Sequence, residues 1–131
     1  MEGAPRPMIF LDTHVLVWLY EGLVDKFSTP IRAQLEESEL YISPMVELEL
    51  TYLFEIGRIT TSGIDIVRHL DAHMGIQISR VDFYRVVEEA QGYSWTRDPF
   101  DRLIVANASI FNAPIITKDE KMRQQYSLAM W

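Results

Sequence analysis

The chain has no cysteine in its 131 residues. That absence excludes disulfides and thiolate metal sites, and it suits a cytosolic, cytoplasmic protein. Histidine is nearly as scarce, at three, and with no Ser, Cys or His nucleophile constellation the chain offers nothing for covalent catalysis. Glycine and proline, six each, are scattered, so there is no glycine-rich phosphate loop, low-complexity run or internal repeat. No apolar run reaches the length of a membrane span, and Met1 to Pro7 lacks the apolar region of a signal peptide. Basic charge is also short: 12 Lys and Arg against 19 Asp and Glu leave a net charge of −7. Such a balance argues against generic nucleic-acid binding through a basic surface, because phosphate neutralisation supplies most non-specific affinity. A nuclease remains open.

What is present is apolar and acidic. With 48% hydrophobic residues, the chain can bury a real core as one domain over residues 1–131, behind a loose leader at 1–7. The stretch Arg97 to Asp119 reads as one helix feeding one buried strand. Asp98 serves as N-cap with Pro99 at the first helical position, and Leu103, Ile104, Ala106, Ala108, Ile110 and Phe111 cover most of the helix. Asn112-Ala113-Pro114 stops it, and Pro114-Ile115-Ile116-Thr117 is a β-branched run of the kind found in central parallel strands. Asp119 follows directly, where ligands bind in open parallel sheets.

The same grammar recurs along the chain. Met8 to Leu11 is an apolar strand ending at Asp12, and Thr13 to Tyr20 continues as a mostly apolar helix, with His14 read as a structural or surface residue. Ser28-Thr29-Pro30 opens a helix to about Glu37, and Leu40 to Ile42 is the next strand. Ser43-Pro44 caps a helix to about Ile56, closed by Gly57. Glu47 and Glu49 both lie on it, but residues two apart do not share a face. Glu49 groups with Met45, Leu53 and Ile56, which makes it the pocket candidate. Thr60 to Gly75 is helical, with His69 and His73 taken as a surface pair because zinc needs three or four ligands. Ile76 to Ser79 alternates as a strand, Val81 to Gly92 is a helix, Glu120 to Gln125 a short one, and Ser127 to Trp131 an edge strand. This alternation predicts a three-layer α/β/α sandwich around a mainly parallel sheet, with Asp12 and Asp119 at one carboxyl edge.

Two readings of the acids stand side by side. Asp98 with Asp101, and Thr117 with Glu120, have capping-box spacing, so helix capping alone could account for them. Alternatively, Asp12, Glu49, Asp98, Asp101 and Asp119 form one pocket; subtracting those five charges from −7 leaves −2 for the rest of the chain. Clustered carboxylates repel one another unless a cation is present, and Mg²⁺ or Mn²⁺ prefers oxygen ligands. Such sites hydrolyse phosphodiesters. Arg80, Arg85, Arg97, Arg102, Lys118, Lys121 and Arg123 are the cations available to guide a phosphate backbone.

The ordered blocks Ile9-Phe10-Leu11-Asp12-Thr13-His14, Ile42-Ser43-Pro44 with Glu49, Asp98-Pro99-Phe100-Asp101-Arg102-Leu103-Ile104 and Ile116-Thr117-Lys118-Asp119 resemble the PIN-domain ribonucleases, particularly VapC-like toxins of toxin–antitoxin pairs. The resemblance covers nearly the whole chain. It implies that Asp12, Glu49, Asp101 and Asp119 are the metal-binding acids, with Asp98 as a further acid and Thr13 and Thr117 as supporting hydroxyls. It further implies Mg²⁺- or Mn²⁺-dependent RNA cleavage, with Arg97, Arg102 and Lys118 toward RNA, a homodimer, and a small antitoxin partner. Thr96 departs from the family, which carries His there. Two other functions remain: a catalytically inert PIN-like interaction module, and a phosphohydrolase of the haloacid dehalogenase type, which would want a second Asp where His14 stands.

Overall fold

The computed structural model describes residues 5–131. Strand β1, Met8–Leu11, buries Ile9, Phe10 and Leu11 almost completely, as a central parallel strand covered on both faces must. It is followed by α1 (Thr13–Tyr20), a 3₁₀ turn (Val24–Lys26), α2 (Thr29–Glu37), β2 (Glu39–Ile42), α3 (Pro44–Glu55) and α4 (Gly63–Met74). Then come β3 (Gln77–Ile78), α5 (Phe83–Ala90), α6 (Pro99–Ile110), β4 (Ile115–Ile116), α7 (Glu120–Gln125) and β5 (Ala129–Met130). The sheet order is β3-β2-β1-β4-β5, and every pairing is parallel. All carboxyl ends therefore share one edge. Phe10 registers with Ile115 and Leu11 with Ile116, and the Asp12 amide donates to the Ile116 carbonyl at 3.1 Å, so the chain leaves β1 beside the end of β4.

Alternation along β1 sorts the two layers. Ile9 and Leu11 face the same side as Ile42 and Ile116, and pack with Val15 and Leu16 of α1, Val46 and Leu50 of α3, and Ile66 and Leu70 of α4. Phe10 and Ile115 point the other way, onto Val105 and Ala108 of α6 and Met122 of α7. Helix α5 joins that layer through Val86 and Ala90 against Ala106. The predicted three-layer sandwich is the fold, and each fully buried Leu, Ile, Val or Phe contributes about 1.5–3 kcal/mol to it.

Several local expectations shift. Helix α4 starts at Gly63, not Thr60, because the Ser62 hydroxyl accepts the Asp65 amide at 3.3 Å and caps it there. Helix α5 starts at Phe83, not Val81, because Asp82 caps Arg85 at 3.2 Å. The capping box expected of Thr117 and Glu120 does not form: Asp119 is the N-cap of α7, and Thr117 turns inward. Within the expected leader, residues 1–4 lie outside the described residues, whereas Arg6 and Pro7 are tied to the fold. The Arg6 guanidinium donates to the Glu37 carbonyl at 3.1 Å, and the Pro7 carbonyl accepts the Glu39 amide at 2.8 Å. Among the described residues no helix is long and apolar enough to cross a membrane.

Candidate metal centre

Asp12 sits at the β1–α1 junction, buried, and both its oxygens are held. Oδ1 accepts the Thr13 amide at 2.8 Å, capping α1, and Oδ2 accepts the hydroxyl of the wholly buried Thr117 at 2.6 Å. Thr117 Oγ1 in turn accepts the Asp119 amide at 3.0 Å. On the other side, the Thr13 hydroxyl donates to Glu49 Oε1 from α3. Two threonines thus orient two carboxylates that lie 37 positions apart in the chain.

Asp98 and Asp119 are genuine caps. Asp98 Oδ1 accepts the Phe100 amide at 2.8 Å and the Asp101 amide at 3.3 Å, while Asp119 Oδ1 accepts the Met122 amide at 2.8 Å. Capping uses one oxygen of each, so it does not compete with facing a cation. Asp101 behaves differently. The reciprocal arm of a capping box would bring its carboxylate to the Asp98 amide, but that amide donates to Thr96 Oγ1 at 3.1 Å. No hydrogen bond reaches the Asp101 carboxylate among the described residues.

Asp12, Glu49, Asp98, Asp101 and Asp119 converge on one cleft of about 260 Å³ at the carboxyl edge. The crowding is visible in their protonation. Burial, then the neighbouring Asp98, Asp12, Asp119 and Glu49, pushes the Asp101 carboxyl from 3.8 up to about 7. Burial also raises Glu49, against the Thr13 hydrogen bond, and raises Asp12, against the bonds from Thr117 and Thr13. Among the described residues no three His, Asp or Glu side chains close on a common point as a finished metal cage. The donor set still fits a hard divalent cation: all are oxygens, their mutual repulsion wants a counter-charge, and Mg²⁺ keeps several waters that bridge to carboxylates it does not touch.

The expected cations divide. Lys118 lines the cleft. Arg97 and Arg102 do not: Arg97 donates to the Ser94 carbonyl at 2.9 Å, and Arg102 donates to the Ala90 carbonyl at 3.3 Å, strapping α6 to the end of α5. Glu49 faces the cleft and Glu47 does not; Glu47 lines a larger groove of about 380 Å³ with Arg68, Asp71 and Arg80, whose mixed charges make no common acid site. The stripe expected to carry Glu49 is not the buried one: Val46 and Leu50 are the buried residues of α3, whereas Ile56 is 48% exposed. His69 and His73 stack at 4.1 Å away from the cleft. Three lining residues were missed, Val15 among them. His14 and Trp18, four apart and so on one face of α1, form an aromatic wall of the cleft. Their i, i+4 spacing after Asp12 was the available signal.

The PIN domain family profile matches residues 9–128. No curated protein matches the chain in sequence. Among solved structures, the chain is similar to VapBC2 from Rickettsia felis bound to a promoter DNA fragment, with a TM-score of 0.66 at 16% identity, covering 94% of this chain and 96% of that one. It is also similar to VapBC-1 from nontypeable Haemophilus influenzae, with a TM-score of 0.59 at 14% identity over 95% and 96% of the two chains. A toxin–antitoxin complex from Klebsiella pneumoniae gives 0.59 at 13% identity over 94% and 96%. At these identities the likeness is one of fold.

Proposed function

Because this chain belongs to the PIN-domain family across residues 9–128, we infer that its acidic cleft is the active site of a metal-dependent endoribonuclease that hydrolyses RNA phosphodiester bonds. One observation carries the reading: five carboxylates from four separate elements meet in a single cleft, and one of them, Asp101, has no structural partner to explain its burial. A capping role accounts for Asp98 and Asp119 but leaves Asp101 without a function.

Asp12, Glu49, Asp101 and Asp119 are the residues that would hold Mg²⁺ or Mn²⁺, with Asp98 beside them. Bound there, the ion supplies charge neutralisation and Lewis-acid polarisation of the phosphodiester. Thr117 and Thr13 keep the Asp12 and Glu49 carboxylates aimed at the cleft, so little reorganisation is left for the moment of reaction. Lys118 offers an approaching phosphate its first positive partner on an acidic surface. The fold shared with VapBC proteins supports a VapC-like toxin paired with a cognate antitoxin. Exposed Leu48, Tyr52, Phe83 and Tyr84 offer apolar area for a homodimer. A dehalogenase-type phosphohydrolase is set aside, since exposed His14 stands where its second Asp belongs.

An RNA-cleavage assay with purified protein, Mg²⁺ or Mn²⁺, an EDTA control and Asp101→Asn tests the proposal. Cleavage that needs the metal and disappears in Asp101→Asn, with a metal-free melting temperature no lower than that of the unmodified protein, is the expected result. A well-folded, antitoxin-free preparation that cuts none of a varied set of RNAs would point instead to the inert interaction module.

A further inference from the structure

Two of the three histidines in the chain lie outside the acidic cleft and take no part in its chemistry. His69 and His73 stand four apart on the exposed side of α4, their rings stacked at 4.1 Å and 23°. The Tyr20 ring meets His69 edge-on at 5.0 Å, so the imidazoles are kept side by side. Their nitrogens are not equivalent. His73 Nδ1 lies 2.8 Å from the His69 carbonyl oxygen, which can only accept, so Nδ1 carries the proton and the lone pair of the neutral ring sits on Nε2, across the ring from that bond. Histidines that bind metals are fixed in this way, by an acceptor on the nitrogen that the ion does not use. The His69 ring is exposed and makes no hydrogen bond among the described residues, so a rotation about its χ2 turns a nitrogen outward at little cost.

We propose that His69 and His73 are half of a zinc site, completed by the same pair from a second copy of this chain, so that zinc joins two copies across α4. One chain cannot finish the site. Structural zinc takes four ligands in a tetrahedron, and no third His, Asp or Glu among the described residues stands with the pair. Two copies related by a twofold axis present four imidazoles, in a contact that closes on itself. Imidazole suits zinc, whereas carboxylates suit Mg²⁺ and Mn²⁺, so this pair and the acidic cleft sort different ions. The distances are within reach: Zn–N bonds of about 2.0–2.1 Å set tetrahedral nitrogens about 3.3 Å apart, against 4.1 Å between the stacked centroids. Ala72, exposed beside the pair, adds no bulk where the second helix must approach. This contact is separate from the nuclease chemistry and from the apolar homodimer face, and it stands or falls without them.

Light scattering on the full chain in excess Mg²⁺ measures the mass as zinc is added, and cobalt in place of zinc reports the coordination. The mass is expected to rise at least twofold at one zinc per two chains and to return on adding excess EDTA, while Mn²⁺ leaves it unchanged. Cobalt should show the strong visible bands of a tetrahedral ion. His69→Ala and His73→Ala, both at exposed helical positions where alanine is well tolerated, should each abolish the rise in mass and the bands. Asp101→Asn should keep both, which separates this ion from one in the cleft. Zinc bound at the pair with no change in mass overturns the proposal, as does a rise that persists when both histidines are replaced by alanine, or a cobalt spectrum that stays octahedral.

Discussion

Thr117 and Asp12 lie 105 positions apart and share a buried hydrogen bond of 2.6 Å. Thr117→Val keeps the side chain's shape and deletes the donor. Orienting partners of this kind are worth roughly 10- to 100-fold in metal affinity or activity, so Mn²⁺ binding followed by calorimetry should weaken within that range. Stability of the metal-free protein should fall by about 1–3 kcal/mol, since the change removes both the bond to Asp12 and the one accepted from the Asp119 amide. Asp101 makes a different prediction, about pH. Its carboxyl stands near 7 in the folded chain against 3.8 ordinarily, so between those values the folded state binds more protons than the unfolded one. Stability of the metal-free protein should therefore decline as pH rises through that window and level off above it, with Asp12 and Glu49 acting in the same direction. Asp101→Asn should flatten the decline in thermal melts, and Mn²⁺ affinity in the unmodified protein should climb over the same range, because the ion must displace that proton. A metal-free melting temperature that climbed from pH 5 to pH 7 would count against the crowded-carboxylate account.

Helix α3 carries two glutamates with opposite fates. Glu49→Gln should abolish metal-dependent cleavage, whereas Glu47→Gln, in the other groove, should leave it intact; the reverse result would overturn the orientation of the helix. That orientation depends on how α4 crosses α3. A Cβ at Gly63 would meet the Glu47 carbonyl, and would lie 2.7 Å from Thr51 Oγ1 and 3.0 Å from the Thr51 amide. Gly63→Ala must push the two helices apart and should cost about 1–3 kcal/mol, read by denaturant unfolding. Since Glu49 rides on the displaced helix, activity at fixed Mn²⁺ should fall with it.

Across the whole molecule, the cleft is held by elements from both ends of the chain, so an ion that binds only the folded state couples directly to global unfolding. Mn²⁺ at a hundredfold its dissociation constant should raise stability by about 2.7 kcal/mol. No shift in the thermal transition, together with no heat of binding, would remove the metal centre from the account.

The local features were readable because their physics is local. Asp98 before Pro99 and Gly57 after α3, with φ of +80°, each satisfy or redirect backbone within three residues, so their positions follow from short spacing alone. Alternation of apolar runs likewise implied parallel strands and two helix layers. Three things were not readable. Thr117 looked like half of a capping box, and only the pairing of β4 against β1 turns its hydroxyl to Asp12. Arg102 looked like a phosphate guide, and only the packing of α5 on α6 binds it to a carbonyl. Trp18 fell without distinction in a mostly apolar helix, and only the tertiary structure places it at the cleft, packed against Phe27 and Trp131. Caps and strand periods are short-range properties of the backbone. The direction a side chain takes among several available partners is settled by whichever neighbours the fold brings from far along the chain.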